Sequence, residues 1–423
     1  MTKNGIIGLS AGAIVVLGGL TLYTHSAFSS QITQSIAQND STQYSLSIES
    51  QDHGLISSSV EYKLSINKNV AAQFGTTLPK NIDFYFTHAY SSYPLVVNSD
   101  FKLDFTKGVA KEFMTMMTVD QIEHFATLST NLLTQSNALN VEIKPTALED
   151  KTGSVVNLGN LNYHFDGNLD FSFGDFTFNL DNLIGEMTDG GKMSMSELTA
   201  SGNIASEKGF VYTQKQEISL KSFNISNEAV LENWAITNLK LSGGADGFSS
   251  DAINSDLVIM LDRLVMKNSL LDYTVTDTKL DFSIANIDKD SFIEVNKVSR
   301  NGGQPKQLLT AAEGILARGF NGTITKVKTT INDVKIDSQG KFDVPAYDGE
   351  MHDKSIMMHM MQKFSLDYNA NLSNNYASVF PQYAPMIDGM AAQGFATKDE
   401  KGNVSTVIKI KDMAITANDK RIR

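Results

Sequence analysis

Cysteine is absent from the 423 residues, so this chain can build no disulfide framework, thiolate nucleophile or thiolate metal site. Proline is scarce, at 7 residues, and hydrophobic residues make up 41%, which excludes wholesale disorder. The formal net charge is −12 and the lysines are scattered. The basic patch needed to hold a polyphosphate is missing, and nucleic acid is not expected as a partner.

Catalytic signatures are missing too. Gly8-Leu9-Ser10-Ala11-Gly12 has the GxSxG spacing, but it lies inside an apolar run instead of at a strand-to-helix turn. The chain holds no HExxH pair and no phosphate-binding glycine loop. Asn286, Asp288 and Asp290 begin like a calcium loop, yet Ser291 stands where glycine must turn the chain and Lys297 where a bidentate glutamate must close it. In Met351 to Lys363, the side chains of His352, Met357, His359 and Met361 are types that suit Cu(I). Methionine-rich helices also line cores and grooves, and two histidines seven apart stand far apart for one tight site. The expectation is therefore core or groove there, with no metal, no cofactor and no enzymatic activity.

What is present starts at the N-terminus. After Lys3, the segment from Gly5 to Tyr23 carries no charge and at helical rise spans roughly 28 Å, enough for the hydrocarbon core of a bilayer. Residues 1–28 read as an uncleaved transmembrane anchor. A cleaved signal peptide is the competing reading, since Ser26 and Ala27 are small, but its apolar region is usually shorter. Lys3 flanks the run, so the positive-inside bias puts the N-terminus in the cytoplasm and the body in the periplasm, on a single-pass inner-membrane protein. Gly8 and Gly12 form a GxxxG step, one route to a homodimer.

Residues 29–43 read as a polar helical stalk. Period-two alternation then dominates. Tyr44 to Ile66 gives two strands hinged near Gly54, and NIDFYF and SDFKLDF alternate around HAYSSYPL, which reads as a turn. Between residues 107 and 135 apolar residues recur at helical spacing, Val109, Phe113, Met116 and Met117 and then Ile122, Phe125, Leu128 and Leu132, with Thr118 and Gln121 spaced as a capping box. The spacing predicts a helical insertion. Gln304 to Arg318 and Asn374 to Gln393 are further helical segments.

The stretch from Leu161 to Leu183 divides into LNYHF, LDFSF and FTFNL, joined at glycines, and alternation puts Phe165, Phe171, Phe173, Phe176 and Phe178 on one face. The class expected is α+β, dominated by an extended, curved antiparallel sheet with a few packing helices, preceded by one transmembrane helix. The organisation expected is an anchor at 1–28, a stalk at 29–43, a β-rich region at 44–300 and an α+β region at 301–423.

The N-terminal span ending in Gly18-Gly19 and Tyr23-Thr24, the hairpin HGLISSSVEYKLSI and the closing segment FATKDEKGNVSTVIKIKDMAITANDKRI resemble the YdgA-like family of bacterial envelope proteins, a domain class of unknown function. Gly54, Leu55, Ile56 and Ser57 to Ser59 match the family's hairpin. The family's His-Gly-Pro step is replaced here at His88-Ala89. The resemblance implies an inner-membrane-anchored periplasmic protein. A looser architectural analogy is to AsmA-like envelope proteins, which hold lipid in a curved β-groove.

Two functions fit this reading. One is a binding module that holds lipid or another apolar envelope component in a groove lined by Phe165, Phe171, Phe173, Phe176 and Phe178. The other is a structural or interaction scaffold of the envelope, in which the same face is buried under the chain's own helices or under a second subunit of a homodimer.

Overall fold

The computed structural model describes residues 17, 20–26, 28–29, 44–68, 81–119, 122–207, 210–230, 232–300, 304–347 and 362–422. Most of the apolar N-terminal run, the stalk and residues 351–361 of the methionine-rich segment lie outside these. Among the described residues no helix is long and apolar enough to cross a membrane. Antiparallel strand dominates the fold, and the chain divides into two compact units, residues 1–189 and 190–423.

Among the described residues the first unit is a sheet of ten strands, with a short helical stretch at its N-terminal end and one helix after the fourth strand. β1 (Tyr44–His53), β2 (Ser57–Ile66), β3 (Ile82–Tyr93), β4 (Val96–Leu103), β5 (His124–Asn131) and β6 (Ser136–Ile143) pair in sequence order. β6 then pairs with β9 (Leu161–Asn168) and β9 with β10 (Gly174–Glu186). The far half of β10 pairs with β8 (Val155–Leu158), which pairs with β7 (Thr146–Glu149). Period-two alternation in each strand produces this arrangement, because one face can then be apolar throughout.

Three expectations change. HAYSSYPL is not a turn: β3 runs through it to Tyr93, and the chain reverses at Pro94 and Leu95, the latter at φ 62°. The helical insertion shrinks to α1 (Gly108–Met116), and His124–Asn131 is a strand. Ile122, Phe125 and Leu128 have helical spacing, but His124, Ala126, Leu128 and Thr130 form the inward alternating set while Phe125 is exposed. Pairing on both sides, with β4 and β6, overrides the weak helical period. LDFSF is the third change. It is the hairpin loop between β9 and β10, closed by the Asn168 side chain, whose Oδ1 accepts from the Phe173 N–H at 2.9 Å.

The second unit is an up-and-down meander. β11 (Gly191–Glu207), β12 (Phe210–Asn227), β13 (Glu232–Asp246), β14 (Ala252–Lys267), β15 (Asp272–Asp288), β16 (Phe320–Ile331), β17 (Val334–Val344) and β18 (Ser365–Leu372) pair consecutively, and β18 pairs with β20 (Val404–Lys411), beyond β19 (Thr397–Lys398) in sequence. Between β15 and β16 lie α2 (Lys289–Arg300) and α3 (Pro305–Arg318). The expected helix at 304–318 is α3, started by Pro305 and a capping box between Gln304 and Gln307. The one expected from Asn374 to Gln393 is instead two pieces, α4 (Tyr376–Val379) and α5 (Ala384–Ala392), since Pro381 cannot continue the first.

A crease crosses five strands of this unit. The apolar phase is Met193 and Met195 before it and Leu198 and Ala200 after it, and β12 to β15 slip by one at the same row. Glu197, Asn238 and Asp277 occupy that row with φ of 49°, 50° and 51°. Register is unchanged because neighbouring strands slip together. Each extra residue absorbs one alternation step, so the apolar side chains stay on one face. Lys221 pairs with Glu197 across the crease, and Asn238 donates to Asp262 at 2.7 Å.

Candidate ligand-binding face

Strand registers assign the face of the first unit residue by residue. One row across the sheet is Ser58, Tyr90, Ser99, Leu128, Leu139, Phe165 and Phe176; the next is Val60, His88, Phe101, Ala126, Val141, Tyr163 and Phe178. A third is Ser92, Val97, Thr130, Asn137, Gly167 and Gly174. None of these residues is Asp, Glu, Lys or Arg. The charges stand one position out of phase, as in the Lys63–Asp83 ion pair at 3.0 Å and the pairing of Lys107 with Glu61. α1 begins on that charged side, where Gly108 abuts the Asp83 carbonyl and the Tyr85 ring.

The end of the N-terminal segment sits on the β2–β4 part of the apolar face. Phe28 joins Val60, Tyr62, Tyr90 and Val97 in a buried cluster. His25 bonds Ser92 Oγ through Nδ1 at 2.9 Å and Ser58 Oγ through Nε2 at 3.0 Å, and the Leu95 N–H donates to Thr24 Oγ1 at 3.1 Å. On this short helical stretch the polar residues Thr24 and His25 are buried while Leu22 and Tyr23 are 48% and 66% exposed. That is the reverse of a helix end facing water.

His88 lies beneath this corner. Its ring stacks on Phe101 at 4.2 Å and meets Phe28 edge-on at 6.3 Å. Burial lowers its pKa to about 4, so the ring is neutral at physiological pH. His88 Nε2 and Ser99 Oγ are buried without a hydrogen-bond partner. Further along, Leu128, Leu139, Val141, Tyr163, Phe176 and Phe178 are only half-buried.

Of the five phenylalanines expected to line a groove, three share the face. Phe165 is buried, and Phe176 and Phe178 lie opposite Phe165 and Tyr163. Phe171 and Phe173 are in the β9–β10 loop, 39% and 53% exposed; Phe171, at φ 56°, tilts its ring toward Phe165 at 5.4 Å. His352, Met357, His359 and Met361 lie outside the described residues. Among the described residues no group of three or more His, Asp or Glu side chains could hold a metal ion. Ser99 and Ser92 were not singled out by the sequence, and His88 and Ser58 entered only through the family resemblance, not as residues of this face. Their signal was there: each is a polar residue at an apolar-phase position of an alternating strand.

The second unit presents a comparable surface. Met195, Phe223, Ile236, Leu264 and Val275 form one row, and beyond the crease Ala200, Ile218, Leu241, Ile259 and Leu280 form another. All are half-buried except Leu280, at 37% exposed. Ile293 of α2 and Ile315 of α3 pack instead on Phe210, Phe248, Ile253 and Ile287, at the end of the strands. The facing polar rows bond internally, Ser196 to Ser222 and Thr199 to Ser219, both at 2.7 Å.

A family model described as a bacterial protein of unknown function (DUF945) matches residues 1–423. None of the curated proteins and none of the solved structures matches the chain.

Proposed function

The chain belongs to the DUF945 family of bacterial proteins, and from that premise we propose that it is a YdgA-like, inner-membrane-anchored protein whose periplasmic body holds an apolar envelope component, a lipid acyl chain, against its open sheet faces. The observation that carries this reading is the set of half-buried apolar rows. Their backbone groups are already satisfied by the strand ladders, so the surface offers side-chain contacts alone and suits a hydrocarbon. The uncharged run from Gly5 to Tyr23 supports the anchor, as do the exposed Leu22 and Tyr23 just before the segment docks on the sheet. No catalytic step is part of this function.

The test is to purify the full chain from membranes in mild detergent and combine native mass spectrometry with organic extraction. Stoichiometric co-purifying lipid is the expected result. A lipid-free dimer would refute acyl binding and favour a scaffold whose apolar face is covered by a second copy.

A further inference from the structure

Resting on the membrane-anchored part of that reading, we propose that the first unit stands end-on against the bilayer, with the tips of four hairpins seated at its headgroup boundary. Strand pairing puts the β1–β2, β3–β4, β5–β6 and β9–β10 reversals at one end of the sheet. Each is bonded to the next. The Ser92 N–H donates to the Ile56 carbonyl and the Leu132 N–H to the Leu95 carbonyl, both at 2.8 Å, and the Leu169 N–H donates to the Gln135 carbonyl at 3.2 Å. From β2 to β10 the line crosses six interstrand steps of about 4.8 Å, roughly 29 Å in all, so the tips form a rim and not a single point of contact.

The rim is apolar where turns are ordinarily polar. Leu55 and Leu133 are 81% and 75% exposed, and Ile56, Tyr93 and Phe173 are each more than half exposed. Residues 54–56, 93–95, 132–135 and 169–173 hold one charged side chain, Asp170, and no Lys or Arg. The opposite end of the sheet differs: residues 104–112 and 150–154 carry Asp104, Lys107, Lys111, Glu112, Asp150 and Lys151, and Met116 and Met187 are exposed there. The uncharged run from Gly5 to Tyr23 arrives at the apolar end, where the Leu95 N–H of the β3–β4 tip donates to Thr24 Oγ1 beside the exposed Leu22 and Tyr23. Tips that flank the exit of an anchor meet the leaflet the anchor leaves. Their depth is limited by the backbone, because carbonyls outside the ladder need water that the hydrocarbon core lacks, so the tips stop about 5–10 Å into the headgroup and acyl boundary. Tyr93, with an apolar ring and a polar hydroxyl, suits that depth. With no Lys or Arg on the rim, the contact is hydrophobic and does not depend on anionic lipid.

The absence of cysteine supplies the test, since a fluorophore sensitive to its surroundings can be placed at one introduced thiol, Leu133→Cys or Phe173→Cys on the rim or Lys151→Cys at the opposite end, in the full chain reconstituted into phosphatidylcholine vesicles. Lipid brominated along its acyl chains is expected to quench the labels at 133 and 173 about twofold or more and the label at 151 not at all, equally with and without added phosphatidylglycerol. Adding Leu55→Asp and Phe173→Asp, both exposed positions, should reduce quenching of the label at 133, because two carboxylates hold the rim back in water. Quenching unmoved by that pair would mean that the label enters the lipid by itself, and would overturn the rim. A chain that floats with the vesicles while its rim labels are quenched no more than the label at 151 overturns the rim and leaves the anchor standing. Rim labels shielded from water but not quenched by lipid would overturn it in favour of a second copy as the cover. Failure of the full chain to float with vesicles would overturn the anchored reading itself.

Discussion

The rings of His88 and Phe101 lie face to face across the β3–β4 ladder, with centroids 4.2 Å apart and planes 14° apart. This contact holds an imidazole in an aromatic environment that Tyr62, Tyr90 and Phe28 complete. A neutral ring packs there as another aromatic would. A protonated one would be a buried cation with no carboxylate on the same rows.

The first prediction follows from the sign of that shift. Burial lowers the His88 pKa from the ordinary 6.5 to about 4. Between those values the unfolded chain binds a proton that the folded chain refuses. Stability is therefore full above the unfolded value, falls as pH drops through the window, and levels off below the folded value. The total is about 3 kcal/mol. Urea unfolding free energies at pH 7.5 and 4.5 should show the parent losing most of that amount beyond the loss of His88→Phe, since pH 4.5 lies near the lower end of the window; parallel losses would refute the assignment.

Phe28 is expected to hold the N-terminal segment to the sheet. Phe→Ala in a packed core costs about 3–5 kcal/mol, and Phe28 is 7% exposed against Val60, Tyr62, Tyr90 and Val97. Phe28→Ala should accelerate proteolytic cleavage between residues 29 and 44, ahead of β1, with the second unit's hydrogen exchange unchanged. A cleavage rate like the parent's would mean that the His25 and Thr24 hydrogen bonds suffice to hold the segment.

The two units differ in how far the sequence discloses them. Alternation alone gives the β1–β2 hairpin, the strands β9 and β10 and the apolar face of Phe165, Phe176 and Phe178, because period two is a local signal. It misplaces Phe171 and Phe173, since Asn168 closes a loop that alternation reads as strand. It also mistakes β5 for helix, because Ile122, Phe125 and Leu128 match a helical stripe and only pairing with β4 and β6 decides. The polar corner at Ser99 and His88 depends on which residues meet across strands far apart in sequence. The apolar phase slips at Glu197, Asn238 and Asp277 are legible residue by residue, but their alignment into one row needs the register.

That crease yields a third prediction. Asn238 sits at φ 50°, a region that asparagine and glycine tolerate and β-branched residues do not. Asn238→Gly should stay within about 1 kcal/mol of the parent, losing only the bond to Asp262. Asn238→Val should cost about 1–3 kcal/mol in backbone strain. Thermal melts that rank the two variants equally would show that the left-handed conformation is not what the position requires.

A fourth prediction concerns Gly322 on β16, which lies opposite Phe342 on β17. The ring of Phe342 folds over the glycine, so an added Cβ would strike the ring and no backbone atom. Gly322→Ala is expected to destabilise by about 1–3 kcal/mol through overpacking. Combining it with Phe342→Leu removes the clash, so the double variant should be less destabilised than the sum of the singles. Additive losses in urea melts would place the strain elsewhere.

The apolar face can be tested by reversing its polarity at one position. Phe178 and Thr177 are adjacent on β10 and project from opposite faces, Phe178 opposite Tyr163 and Thr177 opposite His164. A glutamate at 178 would place a carboxylate among Val141, Tyr163 and Phe178's other apolar neighbours, where hydrocarbon contact would strip its water. Phe178→Glu should therefore lower hexadecane retention by the full chain at least tenfold, whereas Thr177→Glu should leave it unchanged. Hydrogen exchange across β9 and β10 checks that both variants keep the ladder. Equal retention by Phe178→Glu and the parent would move the acyl site off this face, to the rows of the second unit, where Ile236→Glu is the corresponding change.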